Sequence, residues 1–260
     1  MSLRNSLILF LMVCVFSLNA DPLSAQKYDF NKGFDAIAPA IASGAELNEQ
    51  PNLFVMEVQF RPMGLVNVSI SDPKTGVAKQ QLVWYQVYRT RNRKLESPVD
   101  NTDTLPVNPR DPIPQPYFIP EFFLIADADG DVKVYADQVI PEAVAAIELR
   151  EKIELSNAVE VIQRIPEATE DEDAEWIYGV ATWVGVDPNT DYFKLFAEGF
   201  SNGYRIVTID EESVVLRKTL ELKYWRPGDE FQQRDNEIRR NPEDPKPEWL
   251  YRPSGIAPQQ

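Results

Sequence analysis

The stretch from Trp176 to Ile206 constrains the fold of this chain more than any other part of it. Apolar residues occupy both alternating faces from Trp176 to Val184, as in a strand in the middle of a sandwich. The segment Asp187–Asp191 then interrupts this run with a proline and with side chains that hydrogen-bond nearby amides in turns. The period of two resumes from Phe193 to Ala197. The stretch therefore predicts two central strands joined by a tight turn.

Other runs along the chain also predict strands, because apolar residues alternate in them or fill both faces. They are Leu53–Phe60, Leu65–Ile70, Gln81–Thr90, Tyr117–Ala126, Val132–Tyr135, Val159–Ile165, Tyr204–Ile209 and Val214–Trp225. One helix is expected from Pro141, which suits a first helical position, to about Glu154. This balance predicts an all-β fold, an immunoglobulin-like antiparallel β-sandwich with one helical insertion.

A faint internal echo links two parts of the chain. A strand, Asp-Pro-x-Thr, an aromatic-rich strand and an asparagine near a basic residue occur at 72–93 and again at 187–205. Such an echo indicates either two related sandwich modules or two equivalent hairpins in one sandwich.

The first 25 residues resemble an export signal rather than part of the fold. Arg4 precedes an apolar core from Ser6 to Leu18, and small residues follow at Ala20 and Ala25. Cleavage is expected after Ala25, with Ala20 as the alternative, and the apolar run is shorter than the roughly 20 residues of a membrane span. The sequence therefore predicts a chain exported to the periplasm or outside the cell, without a membrane span after cleavage.

Composition excludes several kinds of chemistry. The chain has no histidine, and its single cysteine, Cys14, lies in the predicted signal. Catalytic Ser-His-Asp and Cys-His sites, zinc sites built from His or Cys, and His-ligated haem are therefore excluded. The formal net charge of −15 argues against nucleic acid and anionic membranes as partners.

The remaining organisation follows from prolines and charges. Residues 26–51 are expected to form a loosely docked lead-in with a short helix around Phe34, and residues 52–230 the sandwich, in one piece or as halves 52–155 and 156–230. The proline-rich segment from Asn92 to Pro116 predicts a long surface loop. Residues 231–260 predict an extended proline-rich tail pinned by aromatic residues, rather than a sheet strand.

Three segments together carry a resemblance to a known group of proteins. They are QLVWYQVYRTRNR, GVATWVGVDPNTDYFKLFAEGFSNGYR and RKTLELKYWRPGDE. The chain resembles exported proteins of unknown function from planctomycete-type bacteria, over roughly Leu53 to Ile238. The resemblance implies a cell-envelope setting but no activity, so it supplies no catalytic positions.

A short acidic loop is the candidate metal site. Asp127, Asp129 and Asp131 alternate around Gly130, as in part of a calcium loop. The glutamate expected several residues later is missing, and hairpins favour Asp-Gly turns for backbone reasons alone. A plain hairpin turn is therefore the favoured interpretation, with no cofactor or metal predicted.

Aromatic residues and paired carboxylates offer a second function class. A set of aromatics on strands includes candidates for a sugar-stacking platform, although core packing is the commoner role. The set comprises Trp84, Tyr85, Trp176, Trp183, Tyr192, Tyr204, Tyr224 and Trp225. Glu121 with Asp127, or Asp229 with Glu230, are carboxylate pairs that in principle could work as acid and base, although some pairs must lie near one another in a chain this rich in acids.

Two functions therefore stay open. The favoured one is a non-catalytic structural or interaction protein of the bacterial cell envelope, with a protein or glycan partner. The alternative is a carbohydrate-binding or carboxylate-dependent carbohydrate-active protein, with calcium as a potential aid. Exposed aromatics beside two close carboxylates would favour the alternative, and an exposed apolar patch without carboxylates would favour the first.

Overall fold

The structure, a computed structural model, describes residues 33–72, 74–95, 116–128, 131–171, 174–227 and 238–253. Their secondary structure is mostly β, and every pair of named strands is antiparallel. The strands are β1 Ala36–Ala38, β2 Met56–Phe60, β3 Gly64–Ser71, β4 Ala78–Asn92, β5 Tyr117–Phe118, β6 Glu121–Ala128, β7 Asp131–Ala136, β8 Gln163–Arg164, β9 Ile177–Val184, β10 Tyr192–Glu198, β11 Tyr204–Ile209, β12 Glu212–Trp225, β13 Arg239–Arg240 and β14 Glu248–Pro253. The helices are α1 Gly44–Glu49 and α2 Pro141–Glu151.

Strand β4 is the centre of a five-stranded sheet. Strands β2 and β3 pair in succession along one edge of β4, and β9 pairs along the other. Strand β1 extends the sheet beyond β2. The middle of β4, from Val83 to Thr90, is rich in β-branched and aromatic residues, which favour a strand buried on both faces.

Strand β12 plays the same part in a seven-stranded sheet. Strands β10 and β11 pair in succession along one edge, while β13 and β14 pair along the other. Strands β6 and β7 continue the sheet beyond β10. The antiparallel β prediction is thus confirmed, but the immunoglobulin-like strand order is not, and the described residues form two short helices instead of one.

The two sheets pack face to face around the main core. Trp84 and Trp183 from the five-stranded sheet and Phe193 and Leu195 from the seven-stranded sheet are all at most 3% exposed. A buried hydrogen bond of 2.8 Å from the Tyr224 hydroxyl to Gln86 Oε1 also joins the sheets. Helix α2 covers part of the opposite face of the five-stranded sheet, so this region has three layers.

The turn at Asp187–Asp191 carries the chain from one sheet to the other. Strand β9 belongs to the five-stranded sheet and β10 to the seven-stranded sheet, whereas the turn after Asp72 joins β3 and β4 within one sheet. The two echoed segments are therefore not equivalent hairpins. Arg226, only 1% exposed, fixes the crossover: its amide donates to Asp191 O at 2.7 Å and its guanidinium to Pro188 O.

The prediction of a loosely docked lead-in is wrong for residues 33–50, which we call the N-terminal clasp. Strand β1 replaces the expected helix near Phe34, since Pro39 interrupts helical hydrogen bonding. Helix α1 follows with a capping box between Ser43 and Glu46. Asp35 pairs with Arg240 at 2.5 Å, which ties the clasp to the seven-stranded sheet.

The tail prediction also needs correction. Strands β13 and β14 belong to the seven-stranded sheet, because most of the prolines lie between them and Pro253 ends the outer strand β14. Pinning by an aromatic residue is confirmed, since Trp249 Nε1 donates to Pro39 O at 3.0 Å.

Two further boundaries differ from the sequence predictions. The expected strand at 159–165 is reduced to the two residues of β8, and α2 ends at Glu151, where Lys152 adopts a left-handed φ of 55°. Most of the predicted loop, residues 96–115, lies outside the described residues, as do residues 1–32 with the predicted signal.

Candidate functional site

The candidate site is the part of the five-stranded sheet's outer face that extends beyond α2. Alternation along β4 places Val83, Tyr85 and Val87 under the helix, and the same face continues at Arg89 and Arg91. Cross-strand register brings Gln59 opposite Arg89 and Glu57 opposite Arg91. We call this region, with Phe34, Arg61, Arg93, Trp176 and Tyr178, the arginine–aromatic face.

Arg89 is at the centre of this face. Its Cζ lies 4.3 Å from the Phe34 ring centroid and 4.2 Å from that of Trp176. Nε and Nη2 donate to Gln59 Oε1 at 3.0 and 2.7 Å. Such stacking holds a planar guanidinium flat through cation–π attraction. The edge that includes Nη1 donates to no described residue.

The neighbouring arginines differ from Arg89 because they have carboxylate partners. Arg91 stacks on Trp176 at 4.2 Å and pairs with Glu57 at 2.9 Å, and Arg93 lies 3.8 Å from the same carboxylate. Arg61 lies over Phe34 and pairs with Glu151 at 2.6 Å. The four arginines thus have two carboxylates, Glu57 and Glu151, as ion-pair partners, and the nearby Glu170 is paired with Lys94, which leaves this region positive in an acidic protein.

The C-terminal end of helix α2 holds one edge of the arginine–aromatic face in position. Its last residue, Glu151, accepts a hydrogen bond of 2.7 Å from the Tyr85 hydroxyl besides the ion pair with Arg61. Burial, and then the adjacent Glu151, raise the pKa of Tyr85 far above its usual value, so the hydroxyl stays a donor. Arg150 donates to Leu65 O at 2.7 Å and anchors the helix to β3.

Asp137 occupies the seam between the two sheets. Its amide donates to Phe122 O at 3.0 Å, and its Oδ1 accepts the Thr182 amide at 2.7 Å. Burial raises the pKa of Asp137 to about 7, although hydrogen bonds from the Thr182 and Gln138 amides act in the opposite direction. The carboxyl caps the outer edge of β9 and has a structural role.

A second buried ionic cluster holds the N-terminal clasp in place. Lys218 Nζ and the Tyr251 hydroxyl donate to Glu46 Oε1 at 2.8 and 2.5 Å, and Ser43 donates to Oε2. Burial raises the pKa of Glu46, but the hydrogen bonds from Lys218, Tyr251 and Ser43 outweigh it and hold the pKa at about 2. Every partner lies within the chain, so this cluster has a structural role and holds the N-terminal clasp in place.

The groove between α2 and residues 154–160 is lined by carboxylates that already accept hydrogen bonds from the protein itself. It has a volume of about 420 Å³ and is lined partly by Glu148 and Glu160. Glu148 accepts the Leu155 amide at 2.8 Å, and Glu160 accepts the Asn157 amide at 3.1 Å. These carboxylates therefore cap local backbone groups.

Strands β6 and β7, which flank the predicted metal loop, pair in antiparallel fashion up to Ala128 opposite Asp131, as expected from the sequence. Asp129 and Gly130 lie outside the described residues, as do the side chains of Asp127 and Asp131, so the choice between calcium and a plain turn stays a prediction. Elsewhere in the described ranges, no three His, Cys, Asp or Glu side chains come together as metal ligands.

The carboxylate pair of Glu121 and Asp127 is not brought together. Both residues lie on β6, six residues apart, which corresponds to about 20 Å along a strand. Glycosidase carboxylates are within about 10 Å of each other. Asp229 and Glu230 lie outside the described residues.

The predicted aromatic platform divides between core and surface. Trp84, Tyr85, Trp183 and Tyr224 are at most 3% exposed, so they are core residues. Trp176 is stacked against arginines. Tyr192 and Tyr204 are more than half exposed, and of these Tyr192 lies directly opposite Trp225. Of the predicted set, only the pair of Tyr192 and Trp225 remains a candidate sugar-stacking surface.

Sequence reasoning missed Phe34, Gln59, Arg61, Arg89 and Arg91 as site residues. Their signal was the alternation of arginines at 89, 91 and 93, which puts three guanidiniums on one side of a strand.

Comparison with protein-family models, curated proteins and solved structures gave no match. Within the described part of the chain, neither helix is long and apolar enough to cross a membrane.

Proposed function

We propose that this chain is an exported, non-catalytic binding protein of the bacterial cell envelope. Its binding surface is the arginine–aromatic face, and the recognised group is a carboxylate on the partner. The scaffold of two packed antiparallel sheets is of the kind that immunoglobulin-like domains use for recognition, and a relationship to them belongs to this proposal. The absence of histidine supports a binding role over catalysis.

The observation that carries the proposal is the arrangement around Arg89. The side chain lacks a carboxylate partner among the described residues, although acidic residues outnumber basic ones by 41 to 26. Phe34 and Trp176 fix its plane, and Gln59 occupies the edge formed by Nε and Nη2. The remaining edge, with Nη1 and the second hydrogen of Nη2, matches the two oxygens of a carboxylate.

The test is titration with two carboxylate polymers, polygalacturonate and polyglutamate, with methyl-esterified polygalacturonate as the uncharged control. We expect Arg89→Gln to weaken binding roughly tenfold or more, because a hydrogen bond to a charged group contributes about 1.5–3 kcal/mol. Arg239→Gln is the matched variant, since Arg239 also lies over a tryptophan, Trp225, at 5.7 Å. It should bind like the unmodified protein.

Melting curves of both variants separate binding from folding. If Arg89 only fastens the sheet, Arg89→Gln lowers the melting temperature and polymer affinity does not depend on the residue. Failure of both charged polymers to bind, or equal losses in the two variants, contradicts the proposal.

A second candidate is binding of a neutral glycan through Tyr192 and Trp225. The supporting observation is that these two residues are direct cross-strand partners on the outer face of the seven-stranded sheet, with Tyr192 62% exposed. Retention on an insoluble neutral glucan that Tyr192→Ala abolishes and Arg89→Gln leaves unchanged would favour this candidate.

A further inference from the structure

Strand β11 is an outer strand of the seven-stranded sheet with an unusually apolar surface. It pairs with β12 on one side, and no described strand pairs with the other. Tyr204, Ile206 and, across the hairpin, Val215 share one face and are between 47% and 64% exposed, and Ile209 on the other face is 50% exposed. Isolated exposed apolar residues are common, but a cluster on a protruding hairpin marks an interaction surface.

The other long outer strands are protected against pairing in ways that β11 is not. Strand β7 carries Lys133, and β14 ends in Pro253 after Arg252. Strand β3 packs beside α2, whose Arg150 donates to Leu65 O. Charges, prolines and covering elements are the usual means of blocking strand edges. Strand β11, with the sequence YRIVTI, has neither a proline nor a lysine. Its one charged residue, Arg205, stacks on Tyr251 of β14, and Gln50 accepts only from the amide of its first residue, Tyr204, at 3.3 Å.

The β11–β12 hairpin is basic at its base and acidic at its tip, so two antiparallel copies of it have complementary charges. Arg205 and Arg217 lie at its base, whereas Asp210, Glu211 and Glu212 form its tip. Arg217 and the three tip acids form no ion pair within the described residues. Two such hairpins laid side by side in antiparallel fashion would place each acidic tip beside the basic base of the other.

We propose that β11 pairs with β11 of a second copy of this chain. Antiparallel pairing about a two-fold axis is the arrangement in which one strand edge complements itself. It would join the two seven-stranded sheets into one, pair the outward-facing backbone groups of β11, and cover Ile206 near the axis. This surface is separate from the arginine–aromatic face, so the dimer does not depend on the proposed function.

The first test is sedimentation velocity of the exported protein over a range of concentrations. We expect a dimer, and Ile206→Lys should weaken it tenfold or more because lysine on a strand edge opposes pairing. Val132→Lys is the matched control: Val132 is 61% exposed, against 64% for Ile206, and lies on β7, at the opposite end of the same sheet. It should leave the dimer intact.

Thiol cross-linking gives a second, independent readout. With Cys14→Ser as background where the leader is retained, Ile206→Cys should form a disulfide-linked dimer on oxidation, and Val132→Cys should not. A monomer at every concentration overturns the proposal. So does a dimer that Ile206→Lys leaves unchanged, one that both lysine variants weaken equally, or cross-linking that does not distinguish the two cysteine positions.

Discussion

Asp137 is a carboxyl group held where its charge is disfavoured. Burial moves its pKa from 3.8 to about 7, and the opposing amide hydrogen bonds do not compensate. Tyr88, the neighbouring titratable group, has its pKa raised by burial and then by Asp137. The folded chain therefore binds a proton more tightly here than the unfolded chain does, so the free energy of unfolding should fall as pH rises from about 4 to about 7.

Asp137→Asn should remove this part of the pH dependence, because the amide oxygen still accepts from Thr182 and carries no charge. The variant should match the unmodified protein near pH 4 and be the more stable of the two above pH 7. Each pKa unit between folded and unfolded states corresponds to about 1.4 kcal/mol.

Urea unfolding across pH 4–8 measures that difference. The comparison must be between the two proteins, since the many other acidic groups contribute a shared pH slope. Parallel curves for the unmodified protein and the Asp137→Asn variant would mean that the carboxyl is ionised in the fold at no cost.

Two tyrosines of β4 lie across glycines of the neighbouring strands. Tyr85 is the cross-strand partner of Gly64 on β3, and Tyr88 is the partner of Gly179 on β9. A methyl group built on either glycine would lie 2.3 Å from the tyrosine side chain. The absence of a side chain therefore lets each ring cover the adjacent strand, a known way of supporting glycine in sheets.

Gly179→Ala should destabilise the protein by about 1–3 kcal/mol, the usual cost of overpacking. Tyr88 is 1% exposed within the core and has little room to move. Gly203→Ala is the control, since the added methyl group would lie 3.0 Å from its nearest neighbour, Lys218 Cβ. Thermal melts of the two variants compare them directly, and equal midpoints would show that the ring can shift.

Periodicity predicted the central strands well and the connections poorly. Strands β4 and β9 were recognisable because Trp84, Val87, Val180 and Trp183 belong to runs that are apolar on both faces. Helix α1 was missed although Ser43 and Glu46 have the spacing of a capping box. Its fastening depends on Lys218, a residue far away in sequence.

The arginine–aromatic face could not be assembled from sequence for a related reason. Phe34, Gln59, Arg89 and Trp176 come from four separate segments, and the pairing of β2 with β4 and of β4 with β9 brings them together. Register is set by burial over whole strands. A local pattern shows only that the arginines share one side of β4.

Each sheet draws its strands from both halves of the chain. Strand β9 completes the five-stranded sheet begun by β2, β3 and β4, and β6 lies beside β10 in the seven-stranded sheet. The main core contains residues from both halves, such as Phe122 and Phe193. A boundary near residue 155 would therefore separate strands that pair with each other.

Fragments 52–155 and 156–230 should not fold when made separately. The first would lose β9 and β10, and the second would keep β12 without β6 or β14, leaving long unpaired edges that favour aggregation. Circular dichroism and urea titration of each fragment are the measurements. A cooperative transition in either fragment alone would establish two domains.

Because each sheet contains strands from both halves of the chain, neither sheet can be completed early in synthesis. The five-stranded sheet lacks a member until Val184 has been synthesised, and the seven-stranded sheet until Pro253. Such distant pairings form slowly, and their partners emerge late during synthesis. The core that the two sheets share can therefore close only after almost the entire chain has left the ribosome. Under the proposed export, a secretion channel that admits only unfolded polypeptide would meet the chain before this core has formed.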